Sequence, residues 1–258
     1  RSATAPNALA FTGPCYIGWA SDVRLYEMTL ALHLSAAVFA GVLAGACAQA
    51  PRAEVVRDVR YVQGGSLKQR LDLYVPARSN YPTVVFVHGG AWVMGDRGDA
   101  PNRALAKALQ ARGIACALVS YRLLPEAKPA DQIADVAAAF AWVSRRSAQR
   151  GGDAQRVFLV GHSASGHLAA LVASDPDHLA RVGRTPGDVA GVVALGAPLA
   201  LALPAVDLDQ GPEWLRSAAQ AVKAVDGALA GLDPLRTLGA TMPRTLVMVG
   251  SDDYVPIK

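Results

Sequence analysis

Apolar and polar residues follow one another in two different patterns along this chain. Residues 54–61 and 69–76 alternate apolar and polar side chains and are separated by Gly64 and Gly65. Alternation with a period of two predicts strands with one face in solvent, so we expect two half-exposed antiparallel strands here. Residues 83–87 are continuously apolar, as in a strand that is covered on both faces. Further strand candidates are residues 114–121, 156–160, 189–196 and 245–249.

Segments with helical composition lie between these strands. Residues 102–112 are rich in alanine and end at Gly113, and residues 129–143 begin with proline, carry acids early and precede Arg145 and Arg146. Proline and acids at the start and arginines at the end are typical of a helix. The alternation of strand and helix predicts right-handed crossovers and an α/β fold, with a mostly parallel central sheet and helices on both faces.

An insertion, residues 199–243, separates the last two strand candidates. It contains Trp214 and an alanine-rich stretch at 218–230. The insertion is either a lid over the strand ends or an ordinary surface excursion, and the sequence favours neither.

Composition narrows the class of protein. The chain has 258 residues, of which 52% are hydrophobic and 18% charged, and this suits a single α/β domain. Its net charge of +4 comes from scattered residues rather than a basic stripe, so nucleic-acid binding is not expected. No disulfide framework is expected from the three cysteines, and we expect Cys116 to be a small, buried, apolar residue of a strand. We find no metal-ligand spacing and no dinucleotide fingerprint, so no cofactor is expected.

The first methionine, Met28, begins an apolar segment that ends in small residues near position 50. This pattern is typical of a secretory signal at 28–50, and its end is similar to a bacterial lipoprotein signal in which Cys47 is lipidated. Alternatively, residues 28–48 remain as a membrane anchor, since about 20 apolar residues can span a bilayer. We therefore expect an exported protein, periplasmic, membrane-attached or secreted, in which residues 1–27 lie upstream of the true start and residues 51–258 form the α/β domain.

The most informative motif is Gly161-His-Ser-Ala-Ser-Gly166, which interrupts an apolar run before a helix-forming segment. A sharp turn between a strand and a helix strains its central serine and needs small neighbours, and it presents the hydroxyl of Ser163 above the sheet edge. The motif alone is also compatible with an ordinary loop rich in glycine and serine, so other strand ends must decide between the two readings.

Two further strand ends carry parts of an acyl-transfer site. His88-Gly-Gly-Ala91 follows one strand, and a tract with so few side chains can turn backbone amides toward a developing oxyanion, together with the amide of Ala164. Asp253 follows the last strand, where it could orient a histidine. Because ligands gather at the carboxyl ends of strands in an α/β sheet, these segments together favour an enzyme.

At this point the sequence resembles the α/β-hydrolase fold, specifically the esterases grouped around hormone-sensitive lipase and arylformamidase. The resemblance covers about residues 55–256 and rests on four motifs in the order of that family: 88–92 (HGGAW), 121–125 (YRLLP), 132–135 (QIAD) and 161–168 (GHSASGHL). It implies a serine hydrolase with Ser163 as nucleophile, Asp253 as the acid, and the amides of Gly89, Gly90 and Ala164 as the oxyanion hole. In such a site His88 shapes the glycine turn, residues 88–92, and is not the base.

The chain departs from this family in two ways. Ser165 stands where the second glycine of the motif is usual, and we expect its hydroxyl to pack or to form a helix-terminal hydrogen bond. The family also places its catalytic histidine after the acid, whereas this sequence stops at Lys258. None of the histidines in the chain is a good base by its expected position: His33, His88, His162, His167 and His178. We therefore expect a chain that lacks the final strand, histidine loop and helix, and is inactive or unstable alone.

The leading function is hydrolysis of a small-molecule carboxylic ester through an acyl-enzyme on Ser163. An arylformamidase-type amidase acting on an N-formyl group is the nearest alternative, and a non-catalytic binding protein with this fold is the alternative from another class. Asp252 competes with Asp253 for the role of the acid, and the order of residues after Gly250 favours Asp253.

Overall fold

The computed structural model describes residues 51–199, 213, 216, 220, 229, 232–239 and 241–249. The predicted leader with Cys47, the two candidate acids Asp252 and Asp253, and most of the 199–243 insertion lie outside these residues. Within the described part, no helix is both long and apolar enough to cross a membrane.

Seven strands of the described residues form one sheet, in the order β1-β2-β4-β3-β5-β6-β7. The pairs β1–β2 and β2–β4 are antiparallel, and all later pairs are parallel. This confirms the predicted α/β fold with a mostly parallel sheet. The strands are β1 (Glu54–Arg60), β2 (Arg70–Val75), β3 (Tyr81–Val87), β4 (Ala115–Val119), β5 (Gly152–His162), β6 (Gly191–Leu195) and β7 (Thr245–Met248).

The helices begin where the sequence supplies start signals. Proline occupies the first turn of α1, α2 and α4, where its missing N–H costs no hydrogen bond. Asp131 in the first turn of α2 accepts a hydrogen bond from the Lys128 amide, and Arg145 and Arg146 lie in its last turn. The helices are α1 (Ala100–Ala111), α2 (Pro129–Ser147), α3 (Ala164–Ser174) and α4 (Pro176–Ala180), with short 3-10 turns at 148–150, 186–188 and 234–236.

Two hydrophobic clusters cover the two faces of the sheet. Val85 and Val87 of β3 pack with residues of α2 and α3, whereas Phe86, between them, packs with Ala106 of α1. Because side chains alternate across a strand, the continuous apolar run at 83–87 supplies both cores at once. The expectation of a strand covered on both faces is confirmed for β3.

The expectation that both N-terminal strands are half-exposed is wrong for β2. Residues 71–75 are all buried, whereas β1 is largely exposed. The strand lies between β1 and β4 in the sheet, and the apolar residues Leu71 and Leu73 enter the main core. At one polar position of the pattern, Asp72 is buried as a partner of Arg57 and Arg97 rather than exposed to solvent.

Candidate active site

Ser163 occupies a sharp turn between β5 and α3. Its backbone has φ 53° and ψ −124°, a conformation that residues other than glycine rarely adopt. Its amide donates to the carbonyl of Leu195 on β6 at 2.7 Å. The turn is so tight that a β-carbon added to Gly161 would lie 2.1 Å from the carbonyl oxygen of Ser165. The small residues of the motif are therefore a steric requirement, and the structure shows the strand-turn-helix that the motif predicts.

The glycine turn leaves the sheet beside this serine. Val87 at the end of β3 pairs with Gly161 of β5, so both segments emerge at the same edge. A β-carbon on Gly89 would lie 3.3 Å from the Ser163 β-carbon and 3.0 Å from the His162 carbonyl oxygen, so only glycine allows the two backbones to approach this closely. The turn continues through left-handed residues, with φ values of 130° at Gly90, 48° at Ala91 and 64° at Trp92.

Three backbone amides near Ser163 are candidate donors to an oxyanion. Within the described part of the chain, the amides of Gly89 and Gly90 donate no hydrogen bond. The amide of Ala164 is the first of α3, where no carbonyl of the helix can accept from it. These are the donors that the sequence assigns to an oxyanion hole, and the fold brings all three to the strand ends that carry Ser163.

Helix α2 holds the strained part of the glycine turn. The carbonyl of Trp92 accepts hydrogen bonds from the Gln132 side chain at 2.9 Å and from the Leu124 amide at 3.0 Å. One helical turn along α2, the buried Asp135 accepts from the amide and guanidinium of Arg122 and from Gln69. Asp135 raises the pKa of Arg122 through these hydrogen bonds. The motif around 132–135 thus braces the site, a role that buried polar residues at helical spacing could have indicated.

His88 is part of the glycine turn. Its Nδ1 lies 2.8 Å from the Gly89 carbonyl, which can only accept, so Nδ1 carries the proton of a neutral ring. The ring stacks on Tyr121 at 4.8 Å, and burial lowers the pKa of His88. This arrangement agrees with the expectation that His88 shapes the turn.

Ser165 is fully buried, and its hydroxyl donates to the His88 carbonyl and lies 3.0 Å from the Tyr121 hydroxyl. Burial raises the pKa of Tyr121 to about 12. Ser165 is therefore packed, as expected, but its hydroxyl bonds to the backbone of the glycine turn rather than to the end of α3, and it joins the two segments of the site.

His167 packs against the site from α3. Its Nε2 lies 2.7 Å from the Leu232 carbonyl, and its ring meets Trp92 edge-on at 5.5 Å. Burial lowers the pKa of His167, partly offset by the bond to Leu232. The hydrogen bond of His167 therefore reaches a segment 65 residues away along the chain.

The other described histidines occupy the edge of the site and a distant helix. His162 is exposed, and its ring borders Gly89, where an added β-carbon would lie 2.7 Å from Nδ1. His178 on α4 lies 3.6 Å from the Asp175 carboxylate. Among the described residues, no hydrogen bond joins a histidine to the Ser163 hydroxyl.

A family model and known proteins match this chain. Residues 71–194 match the model BD-FAE. A probable isoprenylcysteine alpha-carbonyl methylesterase from Oryza sativa subsp. japonica is 40% identical over 119 residues, which are 45% of this chain and 27% of the relative. Esterase LipC from Mycobacterium tuberculosis is 35% identical over 131 residues, 48% of this chain and 32% of the relative.

Among solved structures, esterase B from Lactobacillus rhamnosis superposes with a TM-score of 0.64 and 28% identity, covering 90% of this chain and 78% of that structure. The chain has the α/β-hydrolase fold and is similar to esterases. A truncated carbohydrate esterase from gut microbiota, at 21% identity and a TM-score of 0.61, shares the fold over 81% of both chains. The matched region spans about a third or less of the length of the two curated relatives.

Proposed function

We propose that this α/β-hydrolase cleaves carboxylic esters through an acyl-enzyme on Ser163. The observation that carries the proposal is the left-handed Ser163 at the junction of β5 and α3, with Gly89 packed against it. The esterase relatives and structural neighbours support this reaction class, and the unused amides of Gly89 and Gly90 support its oxyanion hole.

In the proposed reaction a general base takes the Ser163 proton while the oxygen attacks the acyl carbon. The amides of Gly89, Gly90 and Ala164 then donate to the oxygen that becomes negative, each such donor being worth about 3 to 4 kcal/mol of barrier in serine hydrolases. The alcohol leaves with a proton, and water releases the acid from the serine. Asp253 orients the base in this scheme. Because the described residues contain no histidine bonded to Ser163, the test uses the full-length natural protein.

The test compares wild type with Ser163→Ala on p-nitrophenyl acetate and butyrate and on N-formylkynurenine. Loss of the nucleophile should reduce ester turnover by about 10⁴-fold or more, as for serine hydrolases in general. Ser144→Ala, a buried serine on α2, is the matched control and should keep near wild-type rates. Equal ester turnover by wild type and Ser163→Ala would disprove the proposal, and faster cleavage of the N-formyl substrate would assign the amidase alternative instead.

We also propose that the protein is exported, and that it is either attached to a membrane through a lipidated Cys47 or the 28–48 segment, or released to the periplasm or medium after cleavage near position 50. The apolar run after Met28 and the small residues before Cys47 support this. In cells that make the natural protein, intact-mass analysis should find a diacylglycerol-modified N-terminus at Cys47 if the signal is lipidated, an unmodified N-terminus after position 50 if it is cleaved, and residues 28–48 in the mature chain if they serve as the anchor. Retention of residues 1–27 in the mature protein would contradict export by this signal.

A further inference from the structure

The glycine turn has a return segment, residues 95–99, that runs back along its first residues before α1 begins. A β-carbon on Gly95 would lie 2.5 Å from His88 Nδ1 and 2.6 Å from the Gly89 carbonyl oxygen. Two backbones in such close contact cannot shift independently. Whatever fixes the return segment therefore also fixes the Gly89 peptide and the amides beside Ser163.

Arg97 fixes this return segment with both its backbone and its side chain. Its Nη2 donates to the Asp58 carboxylate at 2.7 Å and its Nε to the Asp72 carboxylate at 3.1 Å, while its amide donates to the Ser120 hydroxyl at 2.9 Å. The side chain of Arg97 is only 15% exposed. The rigid fork thus ties the return segment to β1 and β2, and the Arg97 amide ties it to the residue that follows β4.

The chain adopts a strained conformation to supply one of these anchors. Asp58 lies in a bulge of β1, with φ 60°, and its amide donates to the Asp72 carboxylate at 2.8 Å. A bulge re-aims a side chain, here toward Arg97 and Arg70. An aspartate keeps a left-handed backbone conformation only where surrounding contacts stabilise it. The hydrogen bond and ion pairs of Asp58 provide such contacts.

A second contact fastens the same segment next to Arg97. The Asp96 carboxylate accepts from the Gly98 amide at 2.8 Å, from Ser120 at 3.1 Å and from Lys68 at 3.3 Å. Burial alone would raise the pKa of Asp96, but the Gly98 amide, the Lys68 charge and the Ser120 hydroxyl outweigh it and lower that pKa. Asp96 is therefore held by the positive charge of Lys68, and the next residue, Arg97, by the negative charges of Asp58 and Asp72.

We propose that Arg97 is a positioning residue for ester hydrolysis, which holds the Gly89 and Gly90 amides in place beside Ser163 by anchoring the return segment to Asp58 and Asp72. The inference rests on the proposed function. It adds to that function a residue that does not touch the reacting atoms and acts through the contact of Gly95 with the Gly89 peptide.

Arg57 supplies a matched control. It pairs with the same Asp72 at 3.3 Å, but its side chain is 56% exposed and lies on β1, outside the return segment.

In the full-length protein, Arg97→Gln should lower kcat about ten- to a hundredfold, because a small misplacement of groups in a site costs about that much, and should change KM less. The inhibition constant of a trifluoromethyl ketone, which mimics the oxyanion, should rise in parallel. Arg57→Gln should leave both near wild type, and Arg97→Lys should restore part of kcat, since a single ammonium cannot span both carboxylates as a fork does.

Amide hydrogen exchange makes the test independent of activity. The peptide covering residues 88–95 should exchange faster in Arg97→Gln than in wild type, and at the wild-type rate in Arg57→Gln. If wild type does not hydrolyse esters, the proposed function fails, while the exchange comparison still decides whether Arg97 holds the turn. If Arg97→Gln does not fold, Asp58→Asn, which weakens one anchor and leaves Asp72, is measured with the same expectations. Equal kcat and equal exchange in the Arg97 and Arg57 variants would overturn the proposal.

Discussion

The strand that leads to Ser163 and the strand that leads toward Asp253 differ in how completely they are covered. All eleven residues of α3, which follows Ser163, are buried, and β5 lies between β3 and β6. All four residues of β7 are exposed, and within the described part of the chain this strand pairs only with β6. Ser163 is therefore held by dense packing around β5 and α3, whereas the segment toward the candidate acid depends on a few specific contacts.

Those contacts are hydrogen bonds to the packed half. The amide of Gly196 donates to the Met248 carbonyl at 2.7 Å, beyond the end of the β6–β7 ladder. From α3, His167 bonds to Leu232 and Ser174 bonds to Thr237 at 2.6 Å. The two α3 residues are seven positions apart and lie on one face of the helix. Hydrophobic burial therefore dominates around Ser163, whereas polar contacts to α3 and β6 dominate on the side that leads toward Asp253.

The largest effect should come from truncating a leucine in each region. Leu168 on α3 is fully buried, so Leu168→Ala should lower the free energy of unfolding by about 2 to 5 kcal/mol. Leu246 on β7 is 55% exposed, and Leu246→Ala should change it by less than about 0.5 kcal/mol. Urea unfolding of the two variants measures both values. A loss at Leu246 as large as at Leu168 would show that β7 is covered in the protein and would remove the contrast.

A smaller effect should appear with pH. Burial lowers the pKa values of His88, His167 and His178. The folded protein therefore binds protons less readily than the unfolded chain, whose histidines have a pKa of about 6.5. Stability from these groups is fully present above that pH and is lost as the pH falls toward the lowered pKa values. The free energy of unfolding should therefore fall from pH 7.5 to 5.5, a window above the titration of Asp96, whose pKa is lowered from an already acidic value.

The pH test also separates the two regions. His167→Gln removes the titrating ring that links α3 to Leu232, so the fall in unfolding free energy between pH 7.5 and 5.5 should be smaller in this variant. Urea unfolding at both pH values gives the comparison. An equal fall in wild type and variant would mean that protonation of His167 does not loosen the link between α3 and the segment toward the acid.

Structural features that depend on residues close together in the sequence could be predicted from it. The strand, turn and helix around Ser163 follow from small residues between apolar segments, and helix α2 follows from its proline start and its charged ends. The α/β class follows from the alternation of these elements. Such patterns are local, because backbone geometry and side-chain spacing determine them whatever the rest of the chain does.

The contacts that hold the site together join residues far apart in the sequence and could not be predicted from it. Asp72 occupies a position that alternation assigns to solvent, yet it is buried because Arg97, 25 residues away, compensates its charge. Gln132 reaches Trp92 across 40 residues, and His167 reaches Leu232 across 65. The sequence does not distinguish a polar residue that faces water from one that is buried against a distant partner, because burial depends on which elements pack together. Local patterns were therefore enough to predict the fold class and the candidate nucleophile, whereas the polar contacts that brace Ser163 and the glycine turn depend on how distant elements pack.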